Sequence, residues 1–267
     1  MTTPDDLLPI ARAAMDIACA RLLDHRPETV TAKGDRDFAS DLDYAIEREL
    51  RTFLREHTPR IGFLGEEEGA EQLEEDQPFW ALDPVDGTSN LIHGLPMCGT
   101  SLGLVHRDRP ILGVVELPFL NERYHAVQGQ GAHLNDRLVH AASTATLDAA
   151  IIALGDYAVG PGAGPKNRKR LAITNLLGQR AERIRMLGSA AIDLVWTASG
   201  RLDGAILLSN KPWDTAAGVV IAREAGVHVV DVDGKPHDLH STTTVAAAPG
   251  ILDELLVLLA DPTVNAT

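Results

Sequence analysis

The segment 83–90, with the sequence DPVDGTSN, contains the residues best suited to chemistry. Asp83 and Asp86 stand on either side of a proline and a valine, and a glycine, a hydroxyl and an amide follow them. Mg²⁺ takes only oxygen ligands and often shares them with a substrate phosphate. If Gly87 and Thr88 open a helical turn, their N–H groups would face an anion. The segment therefore predicts a site that holds a hard cation and a phosphate together.

Two further acidic motifs occur at the ends of predicted elements. GEEEG at 65–69 follows an apolar run that predicts a strand, and WDTAAG at 213–218 begins a predicted helix. Taken alone, the glutamates would form a solvated loop and Asp214 would be a helix N-cap. Together with Asp83 and Asp86 they place four carboxylates at element ends, which is where magnesium sites are assembled.

The hydrophobic periodicity divides the chain into two halves. The first half has helical periods at 4–25 and 41–57, followed by apolar strands at 61–64, 79–82, 98–106, 111–118 and 122–127. In the second half strands at 149–154, 183–186, 203–208, 227–230 and 243–247 alternate with helices at 168–178, 189–199, 214–225 and 249–259. The first pattern indicates an α+β arrangement and the second a layered α/β arrangement. We therefore predict an N-terminal half, 1–145, with most of the metal ligands, and a C-terminal half, 146–267, with Asp214.

The composition excludes several classes of protein. A chain of 267 residues with 45% hydrophobic content can bury a substantial core, so disorder is not expected. A formal net charge of −14 argues against a general nucleic-acid binder. No apolar stretch has membrane-spanning length, and residues 1–25 form an amphipathic pattern unlike a signal peptide. Cys19 and Cys98 are too few for a disulfide framework, which favours the cytoplasm.

The motifs together resemble those of the inositol monophosphatase family. That family carries GEE, DPxDGTxN and WDxAAG, and all three occur here in this order over nearly the whole chain. Segment 37–43 resembles the family's DxxTxxD, with Ser40 in place of the threonine, and segment 188–191, GSAA, resembles its substrate-side helix start. The resemblance implies an α/β fold of the layered αβαβα type, with the metal site in the cleft between the halves.

The resemblance also implies roles for particular residues. The metal ligands would be Glu66, Asp83, the carbonyl of Val85, Asp86 and Asp214, which would hold two or three Mg²⁺ ions. Asp43 and Thr88, with Glu66, would activate the attacking water. The phosphate and substrate would contact Gly87, Thr88, Ser189 and Ala190.

The implied reaction is hydrolysis of a small phosphate monoester by direct attack of a metal-activated water, without a covalent intermediate. Leu207 stands where inositol-specific members carry a glutamate seven residues before the last metal aspartate. Ser89, however, stands where the nucleotide and histidinol-phosphate branches tend to carry lysine, so the resemblance implies an inositol-monophosphate-like polyol or sugar phosphate. Histidinol phosphate, fructose 1,6-bisphosphate and a nucleotide 3′-phosphate stay open as alternatives.

A different class of function also stays open. A catalytically silent member of the family would bind a partner protein and would be expected to have a broken site, whereas every motif carboxylate and Thr88 are present here. The family is commonly homodimeric, and the apolar segments 98–105 and 111–119 are candidates for such an interface. The glycine- and proline-rich stretch 160–170, which ends in basic residues, is either a plain surface connection or a lid over an anionic substrate.

Overall fold

The computed structural model describes residues 3–34, 37–74 and 76–265. Its α-helices are α1 (Pro4–Asp24), α2 (Asp41–His57), α3 (Thr88–Ile92), α4 (Ala163–Arg180), α5 (Ala190–Ala198), α6 (Pro212–Glu224), α7 (Leu252–Leu259) and α8 (Pro262–Asn265). Its strands are β1 (Val30–Gly34), β2 (Asp37–Ser40), β3 (Gly62–Gly65), β4 (Gly69–Glu71), β5 (Phe79–Asp86), β6 (Gly99–His106), β7 (Arg109–Leu117), β8 (Glu122–Val127), β9 (Ala132–Leu134), β10 (Arg137–Val139), β11 (Ile151–Leu154), β12 (Arg183–Arg185), β13 (Gly204–Leu207), β14 (His228–Val230) and β15 (Thr244–Ala247). None of the helices within these ranges is long and apolar enough to cross a membrane.

Helices α1 and α2 each begin with a reciprocal cap. The Thr3 hydroxyl and backbone N–H both donate to Asp6, and Ser40 donates in the same way to Asp43. Such boxes satisfy backbone donors that the first helical turn leaves unpaired. The apolar residues of α2 recur every four positions and are buried, at Leu42, Ile46, Leu50 and Leu54. Burial of each such leucine stabilises the fold by about 1.5–3 kcal/mol.

The N-terminal half forms an eight-stranded sheet with the order β10-β9-β8-β7-β6-β5-β3-β4. All of its neighbouring strands are antiparallel except β3 and β5, which run parallel. Because β3 and β5 are parallel neighbours, their carboxyl ends meet at one edge of the sheet. Residues 66–68 leave β3 at this edge, and the two aspartates lie in the last part of β5.

The C-terminal half forms a five-stranded sheet with the order β12-β11-β13-β15-β14. Strand β11 is parallel to β12 and β13, and β15 is antiparallel to both of its neighbours. Helices α5 and α6 lie between the two sheets, in a core cluster that includes residues of both, among them Val115, Tyr124, Ala205 and Ala246.

The fold has five layers. Helices α1 and α2 cover the outer face of the eight-stranded sheet, α5 and α6 fill the middle, and α4 and α7 pack on the outer face of the five-stranded sheet. The predicted αβαβα sandwich is therefore confirmed. The division at residue 145 stays a prediction, although the last strand of the first sheet ends at Val139 and the first strand of the second begins at Ile151.

Two sequence-based boundaries were wrong. Strand β5 was expected to end before Asp83 but continues through Asp86, because an irregularity in its pairing with β6 accommodates Pro84. Helix α4 begins at Ala163 instead of residue 168. Gly162, at a φ of 82°, turns the chain into the helix, and Pro165 is tolerated because it lies in the first turn.

The segments 98–105 and 111–119 are unsuited to a subunit interface. They contain most of β6 and β7, which are interior strands of the eight-stranded sheet. Nearly all of their side chains are buried within the subunit, and the exceptions among their large apolar residues are Ile111, which is half-buried, and Phe119, which is 39% exposed.

Candidate metal centre

The two aspartates of β5 lie on either side of an irregularity in the pairing of this strand with β6. Asp83 is opposite Ser101 and Asp86 is opposite Gly99, so three steps along β5 match two along β6. Because side chains alternate across a strand, residues three apart would ordinarily point to opposite faces. The extra residue offsets this alternation and allows Asp83 and Asp86 to share one face.

Both aspartates are buried in a strongly negative environment. Asp83 is 3% exposed and Asp86 is 8% exposed. Burial, and then the charge of Glu66, raise the pKa of Asp83 well above its usual value. The charges of Asp86 and Asp214 act in the same direction. Burial also raises the pKa of Asp86 to about 6, although donated hydrogen bonds oppose this shift. Such a cluster is stable as carboxylates only with a compensating cation.

Asp43 and Thr88 meet although they come from different elements. The Thr88 hydroxyl lies 3.0 Å from Asp43 Oδ1 and 2.9 Å from the carbonyl oxygen of Val85. The other carboxylate oxygen of Asp43 caps α2 through Ser40, so this residue has both a structural contact and a site contact. Gly87 makes the turn between β5 and α3 at a φ of 88°, which glycine adopts without strain.

Glu66 is positioned by a loop that a buried glutamate supports. Glu47 of α2 is fully buried and accepts the backbone N–H groups of Glu67, at 2.8 Å, and Glu68, at 3.0 Å. A Cβ atom on Gly65 would lie 2.1 Å from Glu47 Oε1, so the first residue of the GEE motif must lack a side chain. The sequence reasoning missed Glu47, since its i,i+4 pairing with Arg51 is typical of a surface ion pair.

The carboxylate of Glu66 is engaged by a lysine. Lys33 Nζ, on β1, lies 2.7 Å from Glu66 Oε1 and 2.8 Å from Glu67 Oε1. Neither Lys33 nor the β1–β2 hairpin that carries it was expected from the sequence. Lys33 contacts only Oε1 of Glu66, so a metal ion would bind Oε2 or displace the ammonium group from Oε1.

Asp214 lies in the first turn of α6, as the WDTAAG motif predicts. Its Oδ2 accepts the backbone N–H of Lys211 at 2.7 Å, which caps the helix. Burial raises the pKa of Asp214 to about 7, and the charges of Asp86 and Glu66 contribute in the same direction. The charges of Glu66, Asp86 and Asp214 all act on Asp83, so the four candidate carboxylates share one electrostatic environment.

Ser189 and Ala190 contact Asp86 directly. The Ser189 hydroxyl donates to Asp86 Oδ2, and the N–H groups of Ala190 and Ala191 donate to its Oδ1 and Oδ2 at 3.2 and 2.7 Å. Asn90 Nδ2 also joins the halves, because it donates to the carbonyls of Met97 and Leu187 at 2.7 and 2.8 Å. The start of α5 thus orients a candidate metal ligand.

The donor set fits magnesium better than a soft metal. It consists of carboxylates and a backbone carbonyl, and oxygen donors of this kind select Mg²⁺. Within residues 3–34, 37–74 and 76–265, no three His, Cys, Asp or Glu side chains are grouped closely enough to hold a metal ion by themselves. An open set is compatible with Mg²⁺, because this ion retains several waters and shares phosphate oxygens.

A cavity of about 160 Å³ lies beside Ser189 and Ala190. Leu207 lines it and is 5% exposed. Two buried polar residues also line it: Asp193, whose Oδ1 accepts no hydrogen bond from the described residues, and Arg170, whose Nε donates to the carbonyl of Asp156 at 2.9 Å. Sequence reasoning did not single out Asp193, which lies within an ordinary helical pattern, and it considered Arg170 only as one of the basic residues that end the stretch 160–170.

Comparison with known proteins decides the family. The family model for the inositol monophosphatase family matches residues 4–263. The chain belongs to this family. It is 35% identical to inositol-1-monophosphatase ImpA of Mycolicibacterium smegmatis, with 97% of this chain and 96% of that protein covered. It is 36% identical to Nus factor SuhB of Pasteurella multocida, over 85% of this chain and 84% of that protein.

Solved structures agree with this assignment. The extragenic suppressor protein suhB of Bartonella henselae superposes with a TM-score of 0.89 at 30% identity, over 96% of this chain and 98% of that one. Membership in the inositol monophosphatase family supports a phosphatase activity, and the family uses metal ions. The layered fold predicted from the motifs is the fold of these relatives.

Proposed function

We propose that the chain is a Mg²⁺-dependent phosphatase that hydrolyses a small phosphate monoester by direct attack of an activated water. The observation that carries the proposal is the contact of Thr88 with Asp43 and Val85 beside the buried aspartates of β5. The residues that would hold two or three Mg²⁺ ions are Glu66, Asp83, the carbonyl of Val85, Asp86 and Asp214. When bound, the ions would lower the pKa of a water and neutralise the phosphoryl oxygens.

The Thr88 hydroxyl has one proton and two possible acceptors. If it donates to Asp43, its own lone pair can accept a proton from the attacking water, and Asp43 can take up the proton that Thr88 passes on. The Val85 carbonyl is then left with its lone pairs free to ligate a cation. We infer that the proton path runs from water through Thr88 to Asp43, with Glu66 assisting the orientation of the water.

The phosphate would be held where β5 turns into α3. Backbone N–H groups of Gly87 and Thr88 are donors suited to phosphoryl oxygens. Ser189 and Ala190 would border the substrate and at the same time keep Asp86 in place. This arrangement leaves the side of the phosphorus opposite the water for the departing alcohol.

The alcohol part of the substrate would enter the cavity lined by Leu207. Leucine offers no acceptor there, whereas Asp193 and Arg170 offer a buried acceptor and a buried donor. Hydroxyl groups can satisfy both, since each can donate and accept. We therefore favour an inositol-monophosphate-like polyol or sugar phosphate. Histidinol phosphate, fructose 1,6-bisphosphate and a nucleotide 3′-phosphate are the alternatives.

The test is phosphate release from a panel of monoesters, with and without Mg²⁺. The panel contains inositol 1-phosphate, histidinol phosphate, fructose 1,6-bisphosphate, glycerol 2-phosphate and adenosine 3′,5′-bisphosphate. We expect phosphate release to depend on Mg²⁺ and to fall at least ~10³-fold in Asp86→Ala. The variant lacks a candidate metal ligand, so Mg²⁺ would no longer be held where it stabilises the charge of the transition state. The exposed Asp253→Ala is the control. Release that is independent of Mg²⁺, or equal in Asp86→Ala, would contradict the proposal.

A second candidate function rests on the names of some relatives. Several are named Nus factor SuhB, which points to a role for those proteins outside phosphate chemistry. A catalytically silent, partner-binding role for this chain would leave partner binding intact in Asp86→Ala, and wild type would release no phosphate from the panel. The complete set of motif carboxylates favours the enzyme.

We also propose a cytoplasmic homodimer. The support is an apolar groove beside α1 and α3, where Leu23, Leu95 and Phe119 are 55%, 45% and 39% exposed. Patches of this kind mark association surfaces. Light scattering that gives only a 28.6 kDa species would contradict the dimer.

A further inference from the structure

A second polar cavity, of about 460 Å³, lies at the far end of α6 from Asp214. Its walls are the β6–β7 turn, the last turn of α6 and the loop 236–238. Asp214 and Arg223 are nine residues apart on α6, which corresponds to about 14 Å along the helix axis. This cavity is therefore separate from the candidate metal centre.

Two arginines line the cavity without a carboxylate partner. Among the described residues, no carboxylate oxygen lies within 4.0 Å of the side-chain nitrogens of Arg109 or Arg223. Arg223 Nη2 donates to the carbonyl of His237 at 2.6 Å. Its pKa is lowered by burial and then by the positive charge of Arg109, although the negative charge of Asp238 opposes this shift.

The acidic residues of the cavity have other partners. Both carboxylate oxygens of Glu224 accept backbone N–H groups, from Gly129 at 2.8 Å and Gly131 at 2.9 Å. Asp108 Oδ1 lies 3.4 Å from His240 Nε2, and Asp238 Oδ1 accepts the N–H of His240 at 2.8 Å. The charge of Asp238 partly offsets that of Arg223, but neither Arg109 nor Arg223 forms a salt bridge with these carboxylates.

Arg107 and His237, which also line the cavity, do not neutralise Arg109 or Arg223. Arg107 is 72% exposed and lies 3.8 Å from Asp76. His237 is buried, and burial followed by the charge of Arg223 lowers its pKa to about 4, so it is neutral at pH 7. Its Nε2 already shares a hydrogen bond with the Thr244 hydroxyl at 2.8 Å.

A structural role for Arg223 would explain its position but not why Arg109 lines the same cavity. Arg223 lies in the last turn of α6, where a cation is stabilised by the helix dipole. This role requires neither Arg109 nor a cavity between the two side chains. Two guanidinium groups that face the same cavity are suited to a ligand with several anionic oxygens, because each can form paired N–H···O contacts. A tetrahedral phosphate offers enough oxygens for both, whereas a carboxylate offers two.

We propose that this cavity binds a phosphate group between Arg109 and Arg223, as inorganic phosphate or as part of a small phosphorylated metabolite. The volume exceeds that of phosphate alone and lies in the range of small-molecule sites. The site is distinct from the one that would hydrolyse substrate, and its existence does not depend on the proposed activity.

The test is calorimetric titration with inorganic phosphate in EDTA, at constant ionic strength adjusted with chloride. The Asp86→Ala background removes any contribution of the metal centre. We expect one site, with affinity weakened at least ~10-fold in Arg109→Gln/Arg223→Gln, since the variant lacks both guanidinium groups that would pair with the phosphate oxygens. The control Arg180→Gln/Arg183→Gln removes the same charge from exposed positions and is expected to stay within ~2-fold of wild type.

A parallel titration with glycerol 2-phosphate distinguishes the two sources of the phosphate group. Tighter binding of the ester would assign the site to a phosphorylated metabolite, and tighter binding of inorganic phosphate would assign it to the free ion. Circular dichroism checks whether the double variant is folded. If it is not, we measure Arg109→Gln alone, because Arg109 is exposed at the start of β7, and we expect it to bind phosphate several-fold more weakly. No binding by wild type, or equal losses in the variant and its control, would overturn the proposal.

Discussion

The two ends of α6 differ in charge, in burial and in how the sequence encodes them. Near its N-terminus Asp214 joins Asp83 and Asp86, and burial together with the negative charge of neighbouring carboxylates raises the pKa of all three. Near its C-terminus Arg223 faces Arg109 across an open cavity. The acidic end comes from compact motifs, whereas the basic end comes from residues that no motif connects. The contrast teaches that one helix can position two unlike sites, of which the motifs reveal only one.

The largest expected effect is at the acidic end, in Thr88→Ala. Loss of the hydroxyl removes the proposed proton acceptor, so kcat should fall by ~10²–10⁴-fold. Thr88→Ser keeps the hydroxyl and should retain most of the activity. Thr52→Ala, on the exposed face of α2, is the control. Mg²⁺-dependent phosphate release measures all three, and a loss of less than tenfold in Thr88→Ala would contradict the role.

An effect of intermediate size is expected on the thermal stability of the metal-free protein, through the charge of Asp214. Its folded-state pKa of about 7 is raised from the usual value near 3.8, so the protonated form stabilises the fold below pH ~4. This stabilisation is lost as the pH rises through 7. Asp214→Asn is neutral throughout, so in EDTA its Tm relative to wild type should increase by a few °C between pH 5 and pH 8.

Thermal melts of Asp214→Asn and of the exposed Asp253→Asn at both pH values provide the measurement. Mg²⁺ should also raise the Tm of wild type more than that of Asp214→Asn, because the variant has lost a candidate ligand. An equal pH response in the two variants would show that Asp214 is not held in a repulsive environment.

The smallest expected effect is at the basic end. Arg109→Gln/Arg223→Gln should leave Mg²⁺-dependent kcat/KM within ~2-fold of wild type in buffer without added phosphate, because distant sites with no shared contacts act independently. Steady-state kinetics with the preferred substrate of the panel measures this. A loss of more than tenfold would show that the two ends of α6 do not act as separate sites.

The layered fold implied by the motifs is confirmed, and the choice of metal carboxylates, which rests on the same motifs, stays a prediction. Asp83 and Asp86 share one short segment, and the strand and helix periods are strong. The supporting contacts could not be predicted in the same way. Glu47 reaches the 66–68 loop only because α2 packs beside β3, and Asn90 meets the Leu187 carbonyl only in the assembled fold.

The register of neighbouring strands creates other contacts that could not be predicted from the sequence. The histidines gave no pairing signal, yet the antiparallel register of β8 and β9 stacks the rings of His125 and His133, with centroids 5.1 Å apart. Arg109 and Arg223 likewise meet only after the β6–β7 turn and α6 pack together. A single chain's periodicity indicates which residues are buried but not which distant residues become neighbours.

The contacts of Asp86 with Ser189, Ala190 and Ala191 have a consequence for biosynthesis. A chain emerging from the ribosome exposes the DPVDGTSN segment long before α5 and Asp214 are available to complete the site. On the proposed mechanism, unfinished chains and N-terminal proteolytic fragments would neither bind Mg²⁺ at this site nor hydrolyse a phosphate monoester. The finished subunit would then be the smallest active unit.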